Sequence, residues 1–191
     1  MGLIAEVPVL QRHQLTVDEY HRMADAGILA PDARVELIEG EVIDMAPMKS
    51  RHASVVRQLT DLLTRTLGRA AQVSCQLPLR LGDRSEPEPD IALLRSRPDY
   101  YRHAHPTAAD VLLLIEVSDT TSRLDREVKL PLYARHGVTE VWIVDLDAAM
   151  LRVYRSPQHG GYADEQFLEA PGLLAPQGLP GTVIDLSGIL A

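Results

Sequence analysis

The sequence predicts an α/β fold in which helices flank a mixed β-sheet. Three observations support this prediction. Residues 111–117 (VLLLIEV) form an apolar run of strand length, and residues 50–68 carry apolar side chains at helical spacing. The middle of the chain also predicts the order strand, strand, helix, strand, which favours a mixed sheet. At 191 residues the chain is long enough for a sizeable core.

The first elements are predicted to be a helix and a hairpin. Residues 15–29 (LTVDEYHRMADAGIL) contain Thr16 and Glu19 at the spacing of a capping box, which marks a helix start. Residues 33–47 (ARVELIEGEVIDMAP) place strand-forming residues on both sides of the Glu39–Gly40 turn.

Next, residues 50–68 predict a long helix that ends at a glycine. Two strands follow, around residues 72–81 and 90–95, and the polar turn GDRSEPEP separates them. Residues 96–110 are rich in Pro, His, Tyr and Arg, and we expect them to leave the sheet as an excursion.

The second half predicts a strand at 111–117, a helix at 125–137 and a buried strand at 140–145. We expect Asp125 to cap the helix. Pro131 lies inside it and should kink the helix or shift its start, because proline lacks the N–H that a helix interior requires. A C-terminal pair of antiparallel strands is predicted at residues 150–156 and 161–170.

Composition and net charge limit the functions and the cellular setting that the sequence allows. The formal net charge of −8 argues against a large non-specific nucleic-acid surface, which requires an excess of Lys and Arg. The one cysteine, Cys75, excludes an internal disulfide and favours a reducing, cytoplasmic setting. We expect no signal peptide and no membrane span. We expect a flexible N-terminal arm at residues 1–14, followed by a single domain at residues 15–191.

Two carboxylates interrupt the most apolar segments. Asp90 opens the run IALL after the polar EPEP, and Glu116 lies near the end of VLLLIEV. If the two strands are neighbours, both side chains converge, and two oxygen ligands suit a hard cation such as Mg²⁺. The alternative is that Asp90 caps a strand and Glu116 pairs with an arginine.

Lys129 lies on the helix that follows the Glu116 strand. Its spacing of four from both Asp125 and Tyr133 puts these three residues on one helix face. A helix that returns over the strand ends can bring this lysine to the carboxylates. The alternative is a solvated lysine paired with Asp125.

Several motifs in order resemble the Uma-type putative restriction-endonuclease family of the PD-(D/E)XK nuclease superfamily. The likeness runs from about residue 15 to near the end of the chain. It rests on the trailing strand pair and on ELIEGEVIDMAP, RHASVV, EPEPDIALL, LLLIEVSDTT and DREVKLPLYARHGVTEVWIVD.

The resemblance implies a restriction-endonuclease-like core in which Pro89–Asp90 is the "PD" element and Glu116 is the second acid. The superfamily pattern expects a lysine two positions later, where this chain has Ser118. The Uma-type pattern places the lysine on the next helix, where Lys129 matches it. The analogy also points to Glu36, His52 and, more weakly, Gln76.

Glu36, His52 and the other polar candidates also have simpler structural interpretations. Glu36 can be an outward residue of an edge strand, and His52 can be a polar neighbour of a helix cap. Asp119 and Asp125 fit a turn and an N-cap better than they fit metal ligands. The remaining histidines, at positions 13, 21, 103, 105, 136 and 159, show no metal-ligand spacing.

The resulting hypothesis is a metal-dependent endonuclease acting on DNA. Asp90 and Glu116 would hold Mg²⁺ or Mn²⁺ with the Val117 carbonyl as a third ligand, and Lys129 would assist the attacking water. Glu36 would bind a second metal or a water, and His52 would contact phosphate. The competing hypotheses are a catalytically inactive binding or assembly module and a hydrolase of smaller phosphate esters. By analogy with nuclease folds we expect a homodimer, with a sheet edge offered by residues 140–145 and the strands after them.

Overall fold

A computed structural model describes residues 12–119 and 125–190 of the chain. Most of the predicted arm, residues 1–11, lies outside these described residues. Residues 120–124, which include part of the LLLIEVSDTT motif, and residue 191 also lie outside them.

The predicted N-terminal helix and hairpin are present. Helix α1 spans Val17–Asp25, and its capping box is complete: the Thr16 hydroxyl accepts from the Glu19 N–H, and the Glu19 carboxylate accepts from the Thr16 N–H. Strands β1 (Val35–Ile38) and β2 (Glu41–Asp44) pair antiparallel.

Helix α2 spans Ser50–Leu67, as the apolar spacing predicts, and ends at Gly68. One stripe of its surface is buried, formed by Val55, Val56, Leu59, Leu63 and Leu67. The opposite face is polar, which is typical of a helix that covers a sheet. None of the described helices has both the length and the apolar character needed to cross a membrane.

The central sheet has six strands that follow one another in space in chain order: β3 (Ala71–Cys75), β4 (Ile91–Arg95), β5 (Val111–Ser118), β6 (Glu140–Asp145), β7 (Met150–Gln158) and β8 (Gly161–Leu168). Among the neighbouring strands described in this sheet, β5 and β6 are the pair that runs parallel. Their connection includes helix α3 (Leu130–Arg135), since parallel neighbours require a crossover. Two short strands, β9 (Leu173–Leu174) and β10 (Ile184–Asp185), pair near the C-terminus.

Both faces of the sheet are covered, so the fold is the predicted mixed α/β arrangement. On one face, α2 and the C-terminal segment pack against Leu113, Ile115 and Trp142. On the other face, α3 packs against Leu114 and Ile143. Because strand side chains alternate between faces, Glu116 shares the α3 face with Leu114, two residues earlier.

Two element boundaries differ from the prediction. The strand expected at residues 72–81 ends at Cys75, because Gln76 adopts a left-handed conformation with φ of 51° and turns the chain away. The helix expected at residues 125–137 begins as a wide π-helical turn at Asp125–Lys129. Pro131 accounts for this widening, since its ring and missing N–H disturb the preceding turn of an α-helix.

The sheet edge expected from residues 140–145 and the strands after them is formed by the last of those strands, β8. Residues 140–145 form β6, which is hydrogen-bonded on both sides, to β5 and to β7. Among the described strands, β3 and β8 are the outer members of the six-stranded sheet.

Candidate active site

Asp90 lies at the start of β4, where four segments of the chain meet. Its Oδ2 accepts a hydrogen bond of 2.9 Å from the Val117 N–H and lies 3.0 Å from His52 Nε2. Its Oδ1 accepts from the Gln76 side-chain amide at 3.1 Å. Asp90 therefore connects β4, β5, the first turn of α2 and the end of β3, and it is more than a strand cap.

Glu116 faces Asp90 from the neighbouring strand and is only 3% exposed. Its Oε2 accepts from the Asp90 N–H at 3.1 Å, and its Oε1 accepts from the Tyr133 hydroxyl at 2.5 Å. Burial raises the pKa of Glu116 to about 8; the charge of Lys129 opposes this rise and that of Asp90 adds to it. Its cationic neighbour is this lysine, and the arginine partner considered from the sequence is wrong.

Lys129 is buried between two carboxylates. Its Nζ lies 3.0 Å from Glu36 Oε2 and 3.8 Å from Glu116 Oε1, so the solvated lysine considered from the sequence is wrong. Burial opposes its charge, but Glu116 and Glu36 outweigh that effect and raise the pKa of Lys129. It is therefore an ammonium at neutral pH.

Glu36 is 2% exposed, so it is not the outward residue of an edge strand. Besides its ion pair with Lys129, its Oε2 accepts from the Glu88 N–H at 3.1 Å. The hairpin thus supplies a third carboxylate, beside Asp90 and Glu116, to the same place.

His52 lies in the first turn of α2 but does not serve the helix cap, whose position is occupied by Lys49. The hydrogen bond with Asp90 raises the pKa of His52, with burial opposing the shift. Its Nδ1 is buried and, within the described ranges, has no hydrogen-bond partner.

These side chains line one pocket of about 80 Å³. Three cations (Arg34, Lys49 and Lys129) lie there with six carboxylates: Glu36, Glu88, Asp90, Glu116, Asp119 and Asp125. The excess of negative charge in a half-enclosed space favours the binding of a cation and disfavours an anion without one.

Sequence reasoning gave no site role to three residues that the fold brings here. Tyr133 shares a helix face with Lys129, and this spacing was its signal. Asp125, expected as an N-cap, is buried in the π-helical turn and accepts from the Ser118 hydroxyl at 3.1 Å. Glu88, two residues before Asp90 in an extended segment, has its pKa raised by burial and by Glu36.

Comparisons with known proteins identify a family and a solved structure with the same fold. The family model described as "Uma2: Putative restriction endonuclease" matches residues 17–187. A solved structure described as a putative nuclease belonging to DUF820, from Anabaena variabilis, shares the fold with a TM-score of 0.68 at 18% identity. That match covers 92% of this chain and 97% of the other. No curated protein matches the chain.

Proposed function

The chain belongs to the Uma2 family, and from this premise we propose that it is a divalent-metal-dependent endonuclease that hydrolyses phosphodiester bonds in DNA. The observation that carries the proposal is the convergence of Asp90, Glu116 and Lys129 on one pocket. Two acids can hold a metal ion and an ammonium can stabilise charge on a phosphoryl oxygen, which are recurring parts of metal-assisted phosphoryl transfer.

The donor set fits Mg²⁺ or Mn²⁺. Asp90 and Glu116 would hold the ion, with the backbone carbonyl of Val117 as a third ligand, because hard cations take oxygen ligands. Each carboxylate oxygen has two lone pairs, so the present hydrogen bonds leave room for a cation. When bound, the ion supplies polarisation of the phosphate and a lowered pKa of a coordinated water.

Lys129 supplies positive charge where a phosphoryl oxygen gains negative charge. The salt bridges to Glu36 and Glu116 fix its Nζ, so little reorganisation is needed during the reaction. Ser118, where the superfamily pattern has lysine, donates its hydroxyl to Asp125. The ammonium therefore reaches the site from the crossover helix.

His52 and Gln76 hold Asp90 from two sides, which fixes the orientation of its carboxylate. The buried Nδ1 of His52 has no hydrogen-bond partner among the described residues, and it would donate to a phosphate oxygen once the imidazole is protonated and turned toward the pocket. Glu36 remains a candidate to bind a second metal or a water through its second oxygen.

A plasmid-cleavage assay tests the proposal. We expect wild-type protein to nick supercoiled DNA with Mg²⁺ or Mn²⁺ and to stop in EDTA, while Glu116→Gln loses activity by about 100-fold or more. Glu165→Gln, an exposed change of the same chemistry on β8, is the control and should cleave like the wild type. Equal activity of Glu116→Gln and wild type would reject the site.

The net charge of −8 and the lack of a long basic stripe in the sequence favour the second candidate, an inactive nuclease-fold module that binds or assembles. Calorimetric titration with Mg²⁺ and Mn²⁺ separates the two. Heat that Glu116→Gln abolishes supports the enzyme, whereas no heat from the wild type supports the module. If metal binds but DNA is not cleaved, a smaller phosphate ester becomes the substrate class to assay.

Metal affinity should rise with pH. Burial raises the pKa of Glu116 to about 8, so below that pH an incoming cation must displace a proton. The proton on His52 beside Asp90 competes in the same direction. We expect the apparent Mg²⁺ affinity to increase by about tenfold from pH 6 to pH 7 and to level off above pH 8. Calorimetry at each pH measures this, and an affinity independent of pH would contradict it.

The homodimer stays part of the proposal. The outer strand β8 is a more suitable edge for pairing than β6, which is enclosed by its neighbours. Light scattering coupled to size-exclusion chromatography measures the mass directly.

A further inference from the structure

A second cluster of metal-ligating side chains lies outside the Asp90 pocket. His21 on α1, Glu86 before β4 and His105 in the segment before β5 each offer one ligand atom, and these atoms lie within 4.8 Å of one another. The three residues come from three separate parts of the chain, and the His21 and His105 rings meet edge to face with their centroids 6.1 Å apart.

Glu86 supplies an independent reason to expect a ligand. It is 3% exposed, and its Oε1 lies 2.6 Å from His21 Nε2. Its Oε2 is buried and has no hydrogen-bond partner in residues 12–119 and 125–190. A buried carboxylate oxygen without a donor is costly, and a bound cation would remove that cost.

We propose that His21, Glu86 and His105 form a binding site for a transition-metal ion of the Zn²⁺ class. Two imidazoles and one carboxylate are a typical zinc donor set, with water in the fourth position. Zinc–ligand bonds of about 2.0–2.1 Å place tetrahedral ligand atoms about 3.3 Å apart, so small side-chain shifts complete the site. His105 is exposed and His21 is half-exposed, which leaves both rings room to turn.

A metal here would connect the segments that contain His21, Glu86 and His105, next to the β1–β2 hairpin that contributes Glu36 to the Asp90 pocket. The Glu86 N–H donates to the Leu37 carbonyl at 2.8 Å, and Leu37 is the neighbour of Glu36 in β1. The site would hold α1 and the segment that contains His105 against that hairpin. The metal is therefore expected to stabilise the folded protein. Water would occupy its remaining coordination position.

The test uses Zn²⁺ and Co²⁺ alone, on an Asp90→Asn background that removes a ligand from the other pocket. We expect one Zn²⁺ per chain by calorimetry, a rise in Tm of about 5–10 °C at 100-fold excess over Kd, and the visible absorption of tetrahedral Co²⁺. Adding His105→Ala should weaken Zn²⁺ binding at least tenfold. His103→Ala, an exposed histidine two residues away, is the matched control and should bind normally.

The proposal is overturned if His105→Ala binds Zn²⁺ as tightly as its Asp90→Asn parent, or if that parent binds no Zn²⁺. His105 is exposed, so its loss does not disturb the core, and Glu86→Gln serves as a second variant with the same expected loss. Because the background already lacks Asp90, the result does not depend on whether the protein cleaves DNA.

Discussion

Lys129→Met is expected to lower the free energy of unfolding by about 3–5 kcal/mol, the usual range for removing one partner from a buried ion pair. The methionine fits the volume of the lysine stem, so lost charge dominates over lost packing. Glu36 and Glu116 would remain in the interior without the ammonium that lies 3.0 and 3.8 Å from their oxygens.

Urea unfolding of the metal-free protein measures this change. The chain's other lysine, Lys49, is exposed, and Lys49→Met should change stability by less than about 0.5 kcal/mol. Adding Glu36→Gln to Lys129→Met should recover part of the loss, since it removes the buried carboxylate charge that Lys129 no longer compensates. A loss below about 1 kcal/mol for Lys129→Met would mean that the pair contributes little.

The pH dependence of this loss has a definite sign. Lys129 lowers the pKa of Glu116, so its removal leaves that carboxyl with a pKa even further above the unfolded value. A raised carboxyl pKa favours the folded state below the unfolded pKa, and this benefit is lost as pH rises. Below about pH 8 Glu116 is protonated in both folded proteins, so the destabilisation should grow mainly as the pH rises above 8.

The fold could be predicted because its signals are local. The capping box of Thr16 and Glu19 marks α1, and the apolar runs of β5 and β6 require burial on both faces. The end of β3 could not be predicted, because it depends on a left-handed conformation at Gln76, a residue with no special preference for it. Pro131 predicts a kinked or shifted helix, but the sequence does not specify that the irregularity is a π-helical turn.

The site could be predicted in part. A carboxylate in an apolar strand is a strong signal, which identified Asp90 and Glu116 before their contacts were known. The partner of Lys129 was harder, because Glu36 lies on a distant hairpin and only the tertiary fold buries it. The cluster of His21, Glu86 and His105 gave no sequence signal at all, since ligands from three distant segments have no characteristic spacing.

Asp90→Asn should reduce metal-dependent DNA cleavage by on the order of 10²–10³-fold, although it replaces only one carboxylate oxygen by an NH₂ group. The amide retains the shape of the side chain but removes its negative charge. In either orientation the new NH₂ group replaces an oxygen that accepts a hydrogen bond, from the Gln76 amide at Oδ1 or from the Val117 N–H at Oδ2.

The lost negative charge and the misplaced N–H group both act at the site. Cleavage activity and stability must therefore be measured together. Cleavage rates at saturating Mg²⁺ report the reaction, calorimetry reports the metal, and Tm reports the fold. We expect loss of cleavage and of Mg²⁺ binding with a fall in Tm of only several degrees, since one hydrogen bond costs about 1–3 kcal/mol. Asp164→Asn on the exposed face of β8 supplies the control. If Asp90→Asn binds Mg²⁺ normally and still cleaves, the role of Asp90 is to tie the four segments together, and the hydrolytic centre must be sought elsewhere.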